Sequence, residues 1–401
     1  MKNNLTKSQK LLCDLCGNVL FDKNCNIPEK FDLNELFTEA KHQTVFPIAC
    51  VGLKKEKTES VFRSYIVKNL QVDYNHIEIS ELLKQNNIKH VFIKGVVSAS
   101  YYKDPTVRTM GDVDVLIDRQ DMQKVHSLLL KLGYITGDNI LKEDGHIRYK
   151  KKIKGAVYVC EVHFSINGIP TSMAPVFDKY LSNILDTTKE IAVPNGKCPA
   201  PSDFHHGIVL LLHTATHLTN EGVGLRHLCD WAIFENRFSN DEFVSLFETP
   251  LKEMGLWKFA QLITLCCEKY LGADKRQWAG KAQDGFIDEI VADIMNGGNF
   301  GHRQTDRYRQ VKYISDRENQ KISKRGTFSQ ILSNLNAKAK TEYSFTKKCR
   351  LLLPIGWLCV VFKYMFLVLT HKRRFDNINT INAAKYRKNL YNEFELFQKG
   401  D

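Results

Sequence analysis

Two aspartates on one short alternating run, Asp112 and Asp114, constrain this 401-residue chain more than any other feature. They lie in the stretch FIKGVVSASYYKDPTVRTMGDVDVLID. Its first apolar run is β-branched and aromatic and closes on glycine, which reads as a buried strand and turn. VVSASYYKD fits a helix ended by Pro105, and VDVLID alternates as the next strand. Side chains two apart on a strand share a face, so Asp112 and Asp114 project to the same side. Carboxylates that close repel unless a cation lies between them. Mg2+ (or Mn2+), a hard ion drawn to carboxylate and phosphate oxygens, is the natural neutraliser.

The flanking residues extend that chemistry. HIRYKKKI and AVYVCEVHFSI are β-rich runs separated by Lys154-Gly155, a dipeptide suited to a hairpin turn. Glu161, on the strand leaving that turn, is the expected third carboxylate. Gly95 lets the backbone turn tightly into a helix whose free N–H groups make a phosphate site. Lys94 adds charge there, and Arg108, four residues before Asp112, is expected to reach the triphosphate or the leaving pyrophosphate. Asp112, Asp114 and Glu161 are thus the expected metal-binding and catalytic residues. Together the parts describe metal-assisted in-line displacement at an α-phosphate. A lone Asp-x-Asp is common on solvated strands; the ordered set is what makes the pattern specific.

That ordered set resembles an uncharacterised bacterial nucleotidyltransferase family with a Lys-Gly and Gly-Asp-x-Asp signature, within the DNA polymerase beta superfamily. Lys94, Gly95, Tyr102, Pro105, Arg108, Gly111, Asp112 and Asp114 carry the resemblance, followed by Glu161 and His163. His213, His217, Leu225, Arg226 and Asp230 match its later helical segment. The resemblance implies an α+β fold with a polymerase-beta-type mixed-sheet core, a divalent metal and a nucleoside triphosphate donor. The superfamily usually has Gly-Ser at the phosphate loop, its serine touching phosphate. Lys-Gly stands here instead, and Ser98 is the nearest hydroxyl. The acceptor is left open: a small molecule, a sugar or a protein.

Around the core the chain reads as helical. The expected divisions are 1–87, an N-terminal helical region; 88–200, the nucleotidyltransferase core; 201–300, a helical domain; and 301–401, a basic helical tail. Short helices are expected before residue 85, with Asp32 as an N-cap and Glu35 as its capping-box partner. Asp203 stands where another N-cap is expected. His213 and His217, four apart on a helix, share a face but lack the glutamate of a metalloprotease motif. They are expected as core histidines or, with His163, near the acceptor. Asp230 is expected to pair with Arg226 one turn earlier. Asp118 and Asp121 read as a strand end and a helix cap, and Lys150, Lys151 and Lys152 as a solvated hairpin end.

Charge is uneven. Residues 301–401 hold 21 Lys and Arg against 8 Asp and Glu, while the rest of the chain is nearly neutral. A basic tail suggests lipid headgroups, nucleic acid or simply a solvated surface. No recognisable RNA- or DNA-binding module accompanies the core. Within the tail, LLLPIGWLCVVFKYMFLVLT (351–370) has the length of a membrane span. Lys363 is central, however, Pro354 interrupts the first turns, and KKCR and HKRR flank it, so no orientation follows. A span, a helix lying on an anionic membrane through residues 345–375, and a helix buried in the protein all stay open.

Eleven scattered cysteines, odd in number, argue for reduced thiols, and no apolar segment follows the polar start. A cytoplasmic protein is expected, peripheral to the inner face of the membrane if the tail binds lipid. Cys13 and Cys16 form a CxxC with Cys25 nearby, but no second pair completes a zinc site, so buried packing is expected. The expected function is transfer of a nucleoside monophosphate to an unidentified acceptor. The alternative is an inactive nucleotidyltransferase-fold binding or accessory protein of a biosynthetic system, at a membrane surface.

Overall fold

The computed structural model describes residues 5–56, 59–138, 145–153, 155–281, 285–301, 307–316, 321–322, 327–370 and 378–398. Local signals set the first helices, α1 (Lys7–Phe21), α2 (Leu33–His42) and α3 (Phe46–Gly52). Asp32 caps α2, its Oδ1 accepting from the Asn34 and Glu35 amides at 2.9 and 3.0 Å. The reciprocal capping box occurs instead at Thr6 and Gln9, opening α1. Next comes α4 (Ser60–Gln85), a single helix of 26 residues where the sequence suggested short pieces. Its buried face carries Asn69, Asp73, Asn75 and His76, which blurs the apolar periodicity. Those polar groups find distant partners: Asn69 Nδ2 donates to the Thr106 and Arg108 carbonyls, and Asp73 Oδ2 accepts from Asn195.

The sheet follows in the expected order: β1 (His90–Phe92), α5 (Gly95–Ala99), β2 (Val113–Ile117), α6 (Met122–Lys131), β3 (His146–Ile153) and β4 (Ala156–His163). Spatially it runs β1-β2-β4-β3, with β2 and β4 parallel and the outer pairs antiparallel. The fold is α+β, a mixed four-stranded core between helical flanks. In the hairpin turn Lys154 lies outside the described residues, and Gly155 takes the left-handed φ of 85° that glycine permits. Lys150, Lys151 and Lys152 lie on β3 near that turn, and Lys151 Nζ reaches Glu78 at 3.3 Å. Asp118 caps a short 3-10 turn after β2 by accepting from the Gln120 amide, while Asp121 makes no side-chain cap.

One sheet face packs Val115, Ile147, Tyr149 and Val162 against Ile79 and Leu83 of α4 and Val125 and Leu129 of α6. The other face sets Leu116 with Val91 and Ile93 against Val209. Asp114 shares that second face with Leu116. After α7 (Ala174–Leu181) comes a hairpin that the sequence did not suggest, β5 (Thr188–Val193) with β6 (Gly196–Pro201). Pro199 and Pro201 argue against a strand, but a two-stranded ribbon leaves each strand an edge where proline is tolerated.

Helices α8 (Asp203–Thr219), α9 (Leu225–Glu235), α10 (Asn240–Met254), α11 (Trp257–Leu271) and α12 (Ile287–Gly297) complete a second core. In it Leu12, Cys13, Cys16 and Phe46 of the N-terminal helices pack with Leu228, Trp231, Phe247, Leu262 and Ile294. All eleven cysteines are free thiols. The cap of α8 is Ser202, which accepts from the His205 amide; Asp203, one residue later, instead pairs with Lys189 and Arg237.

The tail comprises α13 (Arg307–Ile314), α14 (Thr327–Glu342), α15 (Ser344–Lys348), α16 (Leu353–Leu369) and α17 (Ile378–Asn392). Arg307 fastens it to α12 through a buried two-point contact with Asp293, which also accepts from Tyr391 at 2.7 Å. Among the described residues no helix is long and apolar enough to cross a membrane. Nor is residues 351–370 a buried segment: α16 packs on α14 along one side and leaves large apolar side chains exposed on the other.

Candidate active site

Strand register builds the centre of the site. β2 and β4 align Asp114 with Glu161 and Leu116 with His163, while β3 sets Arg148 opposite Glu161. Partners in register turn their side chains to the same face. Asp114, Glu161 and His163 thereby gather with ligand atoms all within 4.8 Å of one another, a donor set able to hold a metal ion. Asp112 lies one residue before β2, half-buried, and borders the same cleft.

Asp114 Oδ1 is the hub. It accepts from Lys94 Nζ at 2.8 Å and from His163 Nε2 at 2.9 Å, and His163 Nε2 also lies 3.7 Å from Glu161 Oε2. Because a carboxylate only accepts, Nε2 carries the proton, and the buried Nδ1 of His163 is left without a hydrogen-bond partner. Arg148 Nε stands 3.6 Å from Glu161 Oε1.

Electrostatics separate the two aspartates. Burial pushes the Asp112 carboxyl up to about 6, and the negative charges of Asp114 and Glu161 add to that. Burial would raise Asp114 too, but Lys94 and His163 more than offset it and hold this carboxyl well below its ordinary range. Burial lowers His163 despite its bond to Asp114. For Lys94 burial opposes the charge, and Asp114 outweighs it, so the ammonium is held above its usual value.

These groups floor a cleft of about 800 Å3 between the sheet and the helical flanks. Its walls are mainly basic: Lys41 of α2, Lys68 of α4, Arg148 of β3 and Arg226 of α9 all line it, with Lys94 at the floor and Glu221 as an acidic exception beside His217. His213 and His217 form part of another wall, their ring centroids 4.4 Å apart. His227 stacks on His213 at 5.4 Å, and Phe300 sets its ring 5.0 Å from His217. Phe300 adopts a left-handed φ of 51°, uncommon for a bulky residue. Burial holds the His213 and His227 imidazoles well below their ordinary value.

The structure places three expected residues differently. Arg108 gives its guanidinium to Asp230, Nε to Oδ1 at 2.8 Å and Nη2 to Oδ2 at 2.6 Å, and Tyr102 Oη donates to the same carboxylate. Asp230 thus pairs with Arg108 and not with Arg226, its neighbour one turn away. Arg226 instead donates Nη1 to the Thr109 carbonyl at 2.7 Å and leaves Nε without a partner. Ser98 is buried, its hydroxyl unpartnered, and does not line the cleft. Gly95 does line it, with φ 22°, but the helix it opens is only five residues long.

Sequence reasoning passed over Lys41, Lys68, Arg148, His227 and Phe300. No local signal marks them, since charges on a helix or strand face read the same whether they face solvent or a cleft.

No curated protein matches the chain. The family model for uncharacterised nucleotidyltransferases matches residues 29–272, taking in α2 through α11 and with them the sheet and most of the cleft. This chain belongs to the uncharacterised nucleotidyltransferase family.

Proposed function

We propose that this protein moves a nucleoside monophosphate from a nucleoside triphosphate to a nucleophilic acceptor, using a divalent metal held by Asp112, Asp114 and Glu161. One observation carries the reading: Asp114 and Glu161 meet in register at the floor of a cleft whose walls carry Lys41, Lys68, Arg148 and Arg226. An acidic floor beneath mainly basic walls suits a metal-bound polyphosphate.

The residues fit a hard divalent ion. Asp114 already has an ammonium at 2.8 Å, so this floor draws positive charge, and its donors are mainly carboxylate oxygens. Bound there, Mg2+ or Mn2+ would neutralise the charge of the transferred phosphoryl group and the departing pyrophosphate. His163 orients Asp114 through Nε2. Lys94, released from Asp114, turns to phosphate oxygen, and Arg226, which lines the cleft, turns its guanidinium to the same chain of phosphates. Glu161 takes the acceptor proton as the acceptor oxygen bonds to the α-phosphorus and the bond to the β-phosphate oxygen breaks, releasing pyrophosphate. The acceptor, a small molecule, sugar or protein, would enter beside His213, His217 and Phe300.

A second reading has the fold bind nucleotide without turnover. It is favoured by the Lys94–Asp114 ion pair, which neutralises the acidic floor internally, and by the turning of Ser98 into the core. Titration of ATP, GTP, CTP and UTP with Mg2+ into wild type and an Asp112→Ala, Asp114→Ala double variant, beside a pyrophosphate-release assay, separates the two. Metal-dependent binding that the variant loses, with pyrophosphate released, supports transfer. Binding without release over a broad acceptor panel supports the second reading. Equal binding by the variant overturns the metal assignment.

A further inference from the structure

α16 is attached on one side only. Gly356 packs so closely that a Cβ there would meet Thr346 at 2.6 Å and Ala339 at 3.0 Å. Trp357 Nε1 donates to Asn336 Oδ1 at 2.8 Å, and Val360 is buried. Lys363, the one charge of the helix, reaches back to Glu342 on α14 at 2.9 Å and so leaves the opposite side uncharged. That opposite side is apolar and open: Leu351, Ile355, Leu358, Phe362, Phe366 and Leu369 are between 51% and 88% exposed. Steps of three and four residues place them in one stripe along the helix. Eight of the eighteen large hydrophobic residues exposed among those described lie between Leu351 and Leu369, so this is a patch and not scatter.

The charge around the stripe names its partner. In the sequence Lys347, Lys348 and Arg350 precede it and Lys372, Arg373 and Arg374 follow it, in a tail with 21 basic against 8 acidic residues. A second copy of the chain would bring basic ends against basic ends. An anionic lipid surface satisfies both features at once, taking apolar side chains between its acyl chains and cations among its headgroups. A helix of 17 residues, fixed to α14 along its length, lies flat on such a surface over about 25 Å and does not cross it. We propose that the α16 face is a docking surface for anionic membranes. The interaction is independent of the transfer reaction.

Co-sedimentation of the full chain with phosphatidylcholine vesicles, with and without phosphatidylglycerol, tests this. Wild type is expected to pellet with the anionic vesicles only, and less at raised salt. Leu358→Glu, Phe362→Glu and Phe366→Glu together are expected to weaken that binding by on the order of tenfold or more. The three side chains are exposed, so circular dichroism and nucleotide binding should match wild type. Should the triple variant misfold, Lys372→Gln, Arg373→Gln and Arg374→Gln together are expected to weaken anionic-vesicle binding instead. Wild type that stays in the supernatant with anionic vesicles overturns the proposal, as does equal pelleting with pure phosphatidylcholine. A dimer in sedimentation velocity that the triple variant abolishes, without vesicle binding, overturns it in favour of self-association.

Discussion

Arg108 and Asp230 meet in a buried two-point ion pair, 2.8 and 2.6 Å, that ties the segment just before β2 to α9. Tyr102 Oη completes the carboxylate at 2.8 Å. Removing one partner of such a pair strands the other charge away from water. Asp230→Ala is therefore expected to destabilise the protein by about 3–5 kcal/mol. Urea denaturation measures it, and a loss within experimental error would show that the pair contributes nothing to the fold.

Arg226 should cost less. It lines the cleft and its Nη1 holds the Thr109 carbonyl at 2.7 Å, so Arg226→Ala is expected to destabilise the protein by about 1–2 kcal/mol, less than Asp230→Ala. Loss of one charge-assisted contact, about 1.5–3 kcal/mol, should weaken nucleoside triphosphate binding by roughly ten- to a hundredfold. Unaltered affinity in calorimetric titration would remove Arg226 from the phosphate site.

Lys94 stands where positive charge is wanted on Asp114. Lys94→Met deletes that charge and leaves the carboxylates intact. Mn2+ affinity without nucleotide, followed by paramagnetic resonance, is expected to rise, while triphosphate affinity falls. Both affinities falling together would mean that Lys94 organises the floor and does not compete for it.

Asp112 supplies a pH signature. Its carboxyl is pushed up to about 6 by burial, then by Asp114 and Glu161. A raised carboxyl favours the folded state while protonated, so its contribution is full below the ordinary carboxylate range and is lost as pH rises through about 6. Metal binding needs the ionised form, so Mg2+ affinity should climb through the same range and then level off. Asp112→Asn should flatten that climb; an identical profile in the variant would assign the titration elsewhere.

Much of the architecture was open to a reader of the sequence, because it rests on short-range physics. Alternation makes β2 with Asp114 on it, a glycine-closed apolar run makes β1, and Asp32 satisfies amides two and three residues ahead. The order of strands and helices in the sheet follows from such patterns. Glu161 was placed in the right neighbourhood by its strand alone, although its pairing with Asp114 is a matter of register between β2 and β4.

Contacts between distant segments escaped it. The 26 residues of α4 form one helix because its buried polar face is answered by Thr106, Arg108 and Asn195, none of them local. Asp230 passes over Arg226 one turn away for Arg108, 122 residues earlier, since only the folded chain brings that guanidinium to both carboxylate oxygens. Lys41, Lys68 and Arg226 come from three helices and become one wall only when those helices pack on the sheet. The segment 351–370 kept three placements until packing on α14 left one face covered and the other open. What the sequence determined by itself is the order of elements in the four-stranded sheet and what chemistry they carry, because propensity, capping and alternation act within a few residues. Which side chains meet was decided by tertiary structure, because burial and charge pairing are settled between segments that the chain order keeps far apart.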